Sequence, residues 1–277
     1  MLTLRRLPIG DAVEFVVGWI DGNFGPFLDL TSKQLDFLVS GLKDALLFLP
    51  PELFILGIFL LSYFAGKRNI KLAAGTAFGF FLIDNMGLWE LSIETLALVL
   101  SSTLLALIIG IPVGILSAKN TVLYHIVKPS LDLMQTMPSF VYLIPALIFF
   151  GLGNVPGIIA TVVFAMPPVI RLTSLGIRQV PKELTEVADA FGSTGWQKLS
   201  KVELPVALPT IMAGVNQCIM LSLSMVVIAA MIGARGLGYQ VLFGIQRVDI
   251  GMGFEAGLAI VIIAVFLDRI TQNLSPK

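Results

Sequence analysis

The chain has 277 residues, 56% hydrophobic and only 13% charged, with 18 basic and 18 acidic side chains in balance. Soluble domains carry about 25% charged residues, so this apolar excess exceeds what a water-soluble core can hide and part of the solvent must be lipid. A net charge of zero gives no electrostatic case for nucleic acid.

Residues 1–46 are mixed rather than membrane-spanning. Arg5 and Arg6 precede Leu7-Pro8-Ile9-Gly10-Asp11 with no uninterrupted apolar region after them, which is not the pattern of a cleavable signal peptide. From Leu28 onward Leu35, Leu38, Val39, Leu42, Leu46 and Leu49 keep helical spacing, while Lys33, Ser40, Lys43 and Asp44 interrupt. That pattern predicts an amphipathic helix lying in the membrane interface. Seven apolar segments follow, at 47–66, 72–90, 93–118, 138–153, 155–173, 207–232 and 254–272. Each is long enough, or nearly so, to cross a hydrocarbon core of about 30 Å. The fourth and fifth, separated only by Gly151 to Pro156, read as a tight hairpin. Gly75-x-x-x-Gly79 and Gly110-x-x-x-Gly114 have the small-residue spacing that lets helices approach closely. Pro112, Pro145 and Pro167-Pro168 lie inside spans, where neighbours can re-satisfy the freed backbone groups.

Between two apolar runs stands a polar island, Pro181 to Pro205, PKELTEVADAFGSTGWQKLSKVELP. Pro181 suits a first helical position, and Glu183 and Glu186 sit near the positive end of the helix dipole. Leu184, Val187, Ala188 and Phe191 share one face by their i, i+3, i+4, i+7 spacing. Gly192 suits a C′ residue in the left-handed conformation. Thr194 with Gln197 reads as a capping box opening a second helix, which Pro205 is expected to stop. The product is a helical hairpin with a charged outside and one apolar stripe.

In the sixth span Asn216, Gln217, Ser222 and Ser224 interrupt an otherwise apolar helix. They either line a translocation path or make interhelical hydrogen bonds; the sequence supports both readings. Gly233-Ala234-Arg235-Gly236-Leu237-Gly238 lacks a preceding strand and reads as a turning or re-entrant segment rather than a phosphate loop, with a short helix toward Asp249. No nucleophile, base and orienting group occur together. The lone Cys218 excludes an internal disulfide, and the lone His125 suggests no metal site. Neither Asp84 nor Asp268 sits in mid-span with a partner, which argues against an ion-coupled carrier.

Glu186-Val187-Ala188, three residues, Gly192, nine residues, Val202-x-Leu204-Pro205 resembles the EAA loop of permease subunits of binding-protein-dependent ABC importers. That pattern is Glu-Ala-Ala, three residues, Gly, nine residues, Ile-x-Leu-Pro, and this chain departs from it with Val187 and Val202, both apolar replacements. Asp132–Pro138, Phe164–Pro168 and Pro209–Gln217 further resemble permeases of glycine betaine and proline-betaine importers. The resemblance implies an all-α membrane protein with the type I ABC importer fold, about seven spans preceded by the in-plane helix. Its parts would be an extracytoplasmic region 1–46, two first spans in 47–90, and a core 91–277 carrying the coupling loop 181–205. It implies that Glu186 by charge, and Ala188 and Gly192 by shape, couple transport to a separate ATPase. Partners would be a second copy of the chain, two ATPase subunits binding ATP and magnesium, and an extracytoplasmic binding protein. No cofactor is expected in this chain. Choline, carnitine and proline stay open as substrates beside glycine betaine. With the 181–205 loop in the cytoplasm, twelve of the 18 basic residues fall on that side. The other six are Arg5, Arg6, Lys33, Lys43, Arg235 and Arg247. The positive-inside bias then places the N-terminus outside and the C-terminus in the cytoplasm, and the resemblance implies a bacterial or archaeal cell membrane.

Overall fold

A computed structural model of the chain describes residues 9–274, and every regular element among them is helical. Arg5, Arg6 and Lys277 lie outside the described residues. The first helix, α1, runs unbroken over Ile9–Leu47. Its predicted stripe turns onto the protein: Leu35 and Val39 are buried, and Leu38, Leu42 and Leu46 pack beside them against the core. The stripe that read as an interface-facing surface is thus used for internal packing, and Lys43 pairs with Glu94 at 3.3 Å on the same side. The preceding half of α1 leaves Phe15, Trp19, Phe24 and Phe27 exposed.

Helices α2 (Pro51–Ala65) and α3 (Ile70–Asn85) form an antiparallel pair. Asn69 caps α3 by accepting from the N–H groups of Lys71 and Leu72. The centre of the molecule is a trio: α4 (Trp89–Lys119), α7 (Asn154–Arg178) and α10 (Leu204–Ala230), with α7 packed most extensively on the other two. Small residues set these distances. A Cβ on Gly114 would lie 2.6 Å from Thr173 Cβ and 2.9 Å from the Ile170 carbonyl, and one on Gly110 would lie 3.0 Å from Val169. The predicted Gly110-x-x-x-Gly114 spacing is therefore a packing face of α4 against α7. Of the other such pair, only Gly79 meets a neighbour, Ile262, while Gly75 faces open space.

Four helical runs are long and apolar enough to cross a membrane: α4, α7, the continuous run Gly195–Ala230, and α12 (Ile250–Leu274). Counting each sharply bent pair as one span gives up to six, against the seven expected. Two differences reduce the seven to four straight spans. Helices α2 and α3 have 15 and 16 residues, so each spans only about 22–24 Å. Segment 138–153 is no straight span. Helix α5 (Thr121–Thr136), unforeseen in the sequence, ends at Met137 in extended backbone. A 3₁₀ turn (Ser139–Tyr142) then leads into the eight-residue α6 (Leu143–Phe150), with a bend of 108° between α5 and this unit. Pro138 disfavours helical backbone at Met137 and so places the break. The expected hairpin between α6 and α7 is present, turning on Gly151 (φ 72°) and Gly153 (φ 131°).

The glycine run after α10 is a turn, as expected, leading into α11 (Leu237–Arg247). It is bonded to its surroundings at three points. The Gly153 N–H donates to the Ile232 carbonyl, the Arg235 N–H to Asn154 Oδ1 and the Leu237 N–H to Thr95 Oγ1, all at 2.8–2.9 Å. Cys218, in the middle of α10, is 0% exposed. A buried thiol of this kind is inert. We expect it to stay unlabelled by a membrane-impermeant maleimide in the native protein and to label fully after denaturation in detergent. Labelling of the native protein would contradict the packing of α10.

Candidate functional site

The polar island folds into the predicted hairpin. Helix α8 (Lys182–Ala190) begins after Pro181, which serves as N-cap rather than as first helical residue. It ends in the bonding pattern that a left-handed C′ glycine permits. Gly192 has φ 74°, its N–H donates to the Asp189 carbonyl at 2.9 Å, and the Ser193 N–H donates to the Ala188 carbonyl at 3.0 Å. Thr194 and Gln197 make the capping box in both directions and open the short α9 (Gly195–Lys198). Lys198 reaches back to Asp189 at 2.7 Å and ties the second arm to the first.

Pro205 does not stop the second arm. A π turn (Leu199–Glu203) follows α9, with the Leu204 N–H bonded to the Leu199 carbonyl, and passes directly into α10. The run Gly195–Ala230 is one helix of 36 residues. Pro205 sits in the first turn of α10, where a missing N–H is tolerated. The second arm of the hairpin and a membrane-crossing helix are consequently one body.

The stripe of α8 divides. Ala188 is buried. Leu184, Val187 and Phe191 are exposed, Phe191 at 86%, and Trp196 on the second arm at 73%. Glu186 is exposed and makes no ion pair among the described residues. Such an apolar knuckle, rimmed by charge at the end of a polar protrusion, has the composition of a protein-docking surface.

At the foot of the hairpin lies a feature that the sequence did not reveal. Glu203 is 5% exposed and its carboxylate accepts from Lys119 Nζ, at the end of α4, at 2.5 Å. Arg178, at the end of α7, donates to the Ser117 carbonyl at 2.8 Å and stacks 3.7 Å over the Tyr124 ring. These partners lie far apart in sequence, so no local pattern pairs them.

The four polar residues of the sixth span separate into two groups. Asn216 donates to Asp268 Oδ1 at 2.9 Å and accepts from Thr271 Oγ1 at 2.7 Å, joining α10 to α12. Ser222 is buried and accepts from Thr103 Oγ1 at 3.4 Å, joining α10 to α4. Gln217 and Ser224 are exposed seven residues apart, on one face of α10, and Ser224 Oγ donates to the Met220 carbonyl.

Residues 110–277 match the family described as "Binding-protein-dependent transport system inner membrane component", and the chain belongs to that family. It is a multi-pass membrane transport subunit. It is 50% identical to the glycine betaine transport system permease protein OpuAB of Bacillus subtilis over 274 residues, 99% of this chain and 96% of that one. It is 50% identical to the glycine betaine/carnitine transport permease protein GbuB of Listeria monocytogenes over 279 residues, 100% of this chain and 99% of that one. It is 43% identical to the glycine betaine/proline betaine transport system permease protein ProW of Escherichia coli over 266 residues, 96% and 75% of the two chains. Among solved structures, a chain of the inward-facing MetNI methionine ABC transporter superposes with a TM-score of 0.58. It is 25% identical and covers 66% of this chain and 93% of that one. The all-α architecture is that of a type I ABC importer permease.

Proposed function

We propose that this chain forms the translocation path of an ATP-driven importer for glycine betaine, and that the 181–205 hairpin couples it to a separate ATPase. The observation that carries the coupling role is the exposed knuckle of Leu184, Val187, Phe191 and Trp196 on a hairpin continuous with a membrane-crossing helix. The substrate class is supported by relatives at 43–50% identity whose names all specify glycine betaine.

In this reading a second copy of the chain completes the path, two ATPase subunits bind ATP and magnesium, and an extracytoplasmic binding protein delivers substrate. On the same reading the hairpin faces the cytoplasm and the N-terminus lies outside. Gly192 shapes the hairpin, Ala188 seats it, and Glu186 offers the ATPase an exposed carboxylate. Gln217 and Ser224, on the open face of α10, line the path, while Asn216 and Ser222 hold α10 to its neighbours. A betaine is a zwitterion, and hydroxyl and amide groups solvate it without trapping it by fixed charge. Closure of the ATPase pair pulls the hairpin, and the rigid second arm carries that movement into α10.

Uptake of labelled glycine betaine into liposomes containing the complete complex tests the proposal. Accumulation is expected only with ATP inside the vesicles on the ATPase side and binding protein on the other. Uptake that follows an ion gradient without ATP would overturn it.

A further inference from the structure

We infer that the last turn of α4 is the anchor on which both ends of the hairpin are fastened, and that Glu203 is the positioning residue that transmits hairpin movement to it. This rests on the reading of the hairpin as the ATPase dock. The hairpin leaves α7 just after Arg178 and rejoins α10 through the π turn that ends at Glu203. Both of these flanking residues grip the same place. Arg178 donates to the carbonyl of Ser117, and Glu203 accepts from Lys119, two residues further along α4.

The last carbonyls of a helix have no intrahelical donor, so a guanidinium there meets an open acceptor and a favourable dipole. Between the two polar contacts, Ile177, Leu199, Ala207 and Ile211 form a small apolar cluster with Ile111 and Ile115 of α4 packed against it. The hairpin therefore cannot rotate about its foot without carrying the end of α4. Helix α4 in turn is fitted to α7 along Gly110, where a methyl group would be tight, and Gly114, where it would collide.

Stability alone does not account for the pair. Glu203 is buried but the Lys119 side chain is 41% exposed, and an ion pair open to water on one side adds little to stability. Glu203 stands in the π turn itself, at the one position where the second arm becomes the membrane helix. Irregular turns of this kind concentrate at functional positions. The ion pair ties the arm to the end of α4 by a short charged contact beside the apolar cluster.

The test uses the full complex in liposomes, with uptake and ATP hydrolysis measured on the same vesicles. Glu203→Gln is expected to keep the ATPase bound while the ratio of substrate moved to ATP hydrolysed falls roughly tenfold, within the range of known site–site coupling. Lys119→Glu is expected to behave alike, and the charge swap K119E/E203K to recover most of the ratio, which a purely space-filling role would not allow. A ratio in E203Q within about twofold of the unmodified complex, below that coupling range, overturns the inference. If Glu203→Gln does not assemble, the swap decides: restoring assembly and coupling together supports the anchor, and failing to restore both overturns it. Absence of ATP-driven uptake by unmodified vesicles strikes the importer reading itself, whereas normal uptake with an indifferent Glu203 strikes only the anchor.

Discussion

Replacing Gly192 with valine is expected to leave the complex assembled and inserted while transport falls and ATP hydrolysis continues. The reason is local. Gly192 stands at φ 74° with open space where a Cβ would go, so no steric contact opposes a side chain. The whole cost is backbone conformation, about 1–2 kcal/mol for an L-residue in the left-handed region. A penalty of that size shifts the balance between the native hairpin and alternatives by a factor of roughly 5–30. It falls on the two hydrogen bonds that close α8, from the Gly192 and Ser193 N–H groups, and so on the angle between the two arms. Gly192→Asn should be milder, because asparagine is tolerated at this cap. Coupled measurement of uptake and ATPase activity for both variants checks the order: glycine best, asparagine intermediate, valine worst. Equal transport by all three would remove the hairpin angle from the mechanism.

The second large effect is expected at Gly238 and concerns folding. A Cβ there would lie 2.3 Å from the Val226 carbonyl oxygen and 2.6 Å from its carbon. Those are backbone atoms of α10, in the middle of the packed trio, and cannot swing aside as a side-chain tip can. Overpacking of this kind costs typically 1–3 kcal/mol, and in a chain of this size each kcal/mol lowers Tm by about 2–4 °C. Gly238→Ala should thus melt roughly 5–10 °C lower in detergent. Gly257→Ala is the control: nothing lies within 4 Å of its added Cβ, and alanine gains up to about 1 kcal/mol in helix propensity. Equal melting of the two variants would refute the close approach of α11 to α10.

Features decided within one turn of helix were the ones readable from sequence. The C′ role of Gly192 and the Thr194–Gln197 box depend on residues three or four apart, and both stand as expected. The glycine turn after α10 and the Gly151–Pro156 hairpin were legible for the same reason. Pro205 misled because a π turn precedes it and places it in the first turn of α10, where proline is tolerated. The stripe on α1 misled differently: spacing shows that a face is apolar and does not say whether lipid or protein covers it. Hydropathy also read 138–153 as a full span, although it holds only a 3₁₀ turn and the eight-residue α6, set off from α5 by the bend at Pro138. What the sequence could not disclose is pairing at a distance. Lys119 with Glu203 and Asn216 with Asp268 are separated by 84 and 52 residues, and only the packing of α4, α10 and α12 brings them together.

The unbroken passage from hairpin to membrane has a mechanical corollary. From Glu203 to Ala230 the helix extends 27 residues, and from Gly195 to Glu203 only eight, or about 40 Å against about 12 Å at 1.5 Å per residue. If Glu203 is the pivot, the rod is a lever with unequal arms. A displacement of about 1 Å at the docking tip becomes about 3 Å at the far side of the bilayer, so a small stroke is magnified by leverage alone, without any helix having to melt or re-form.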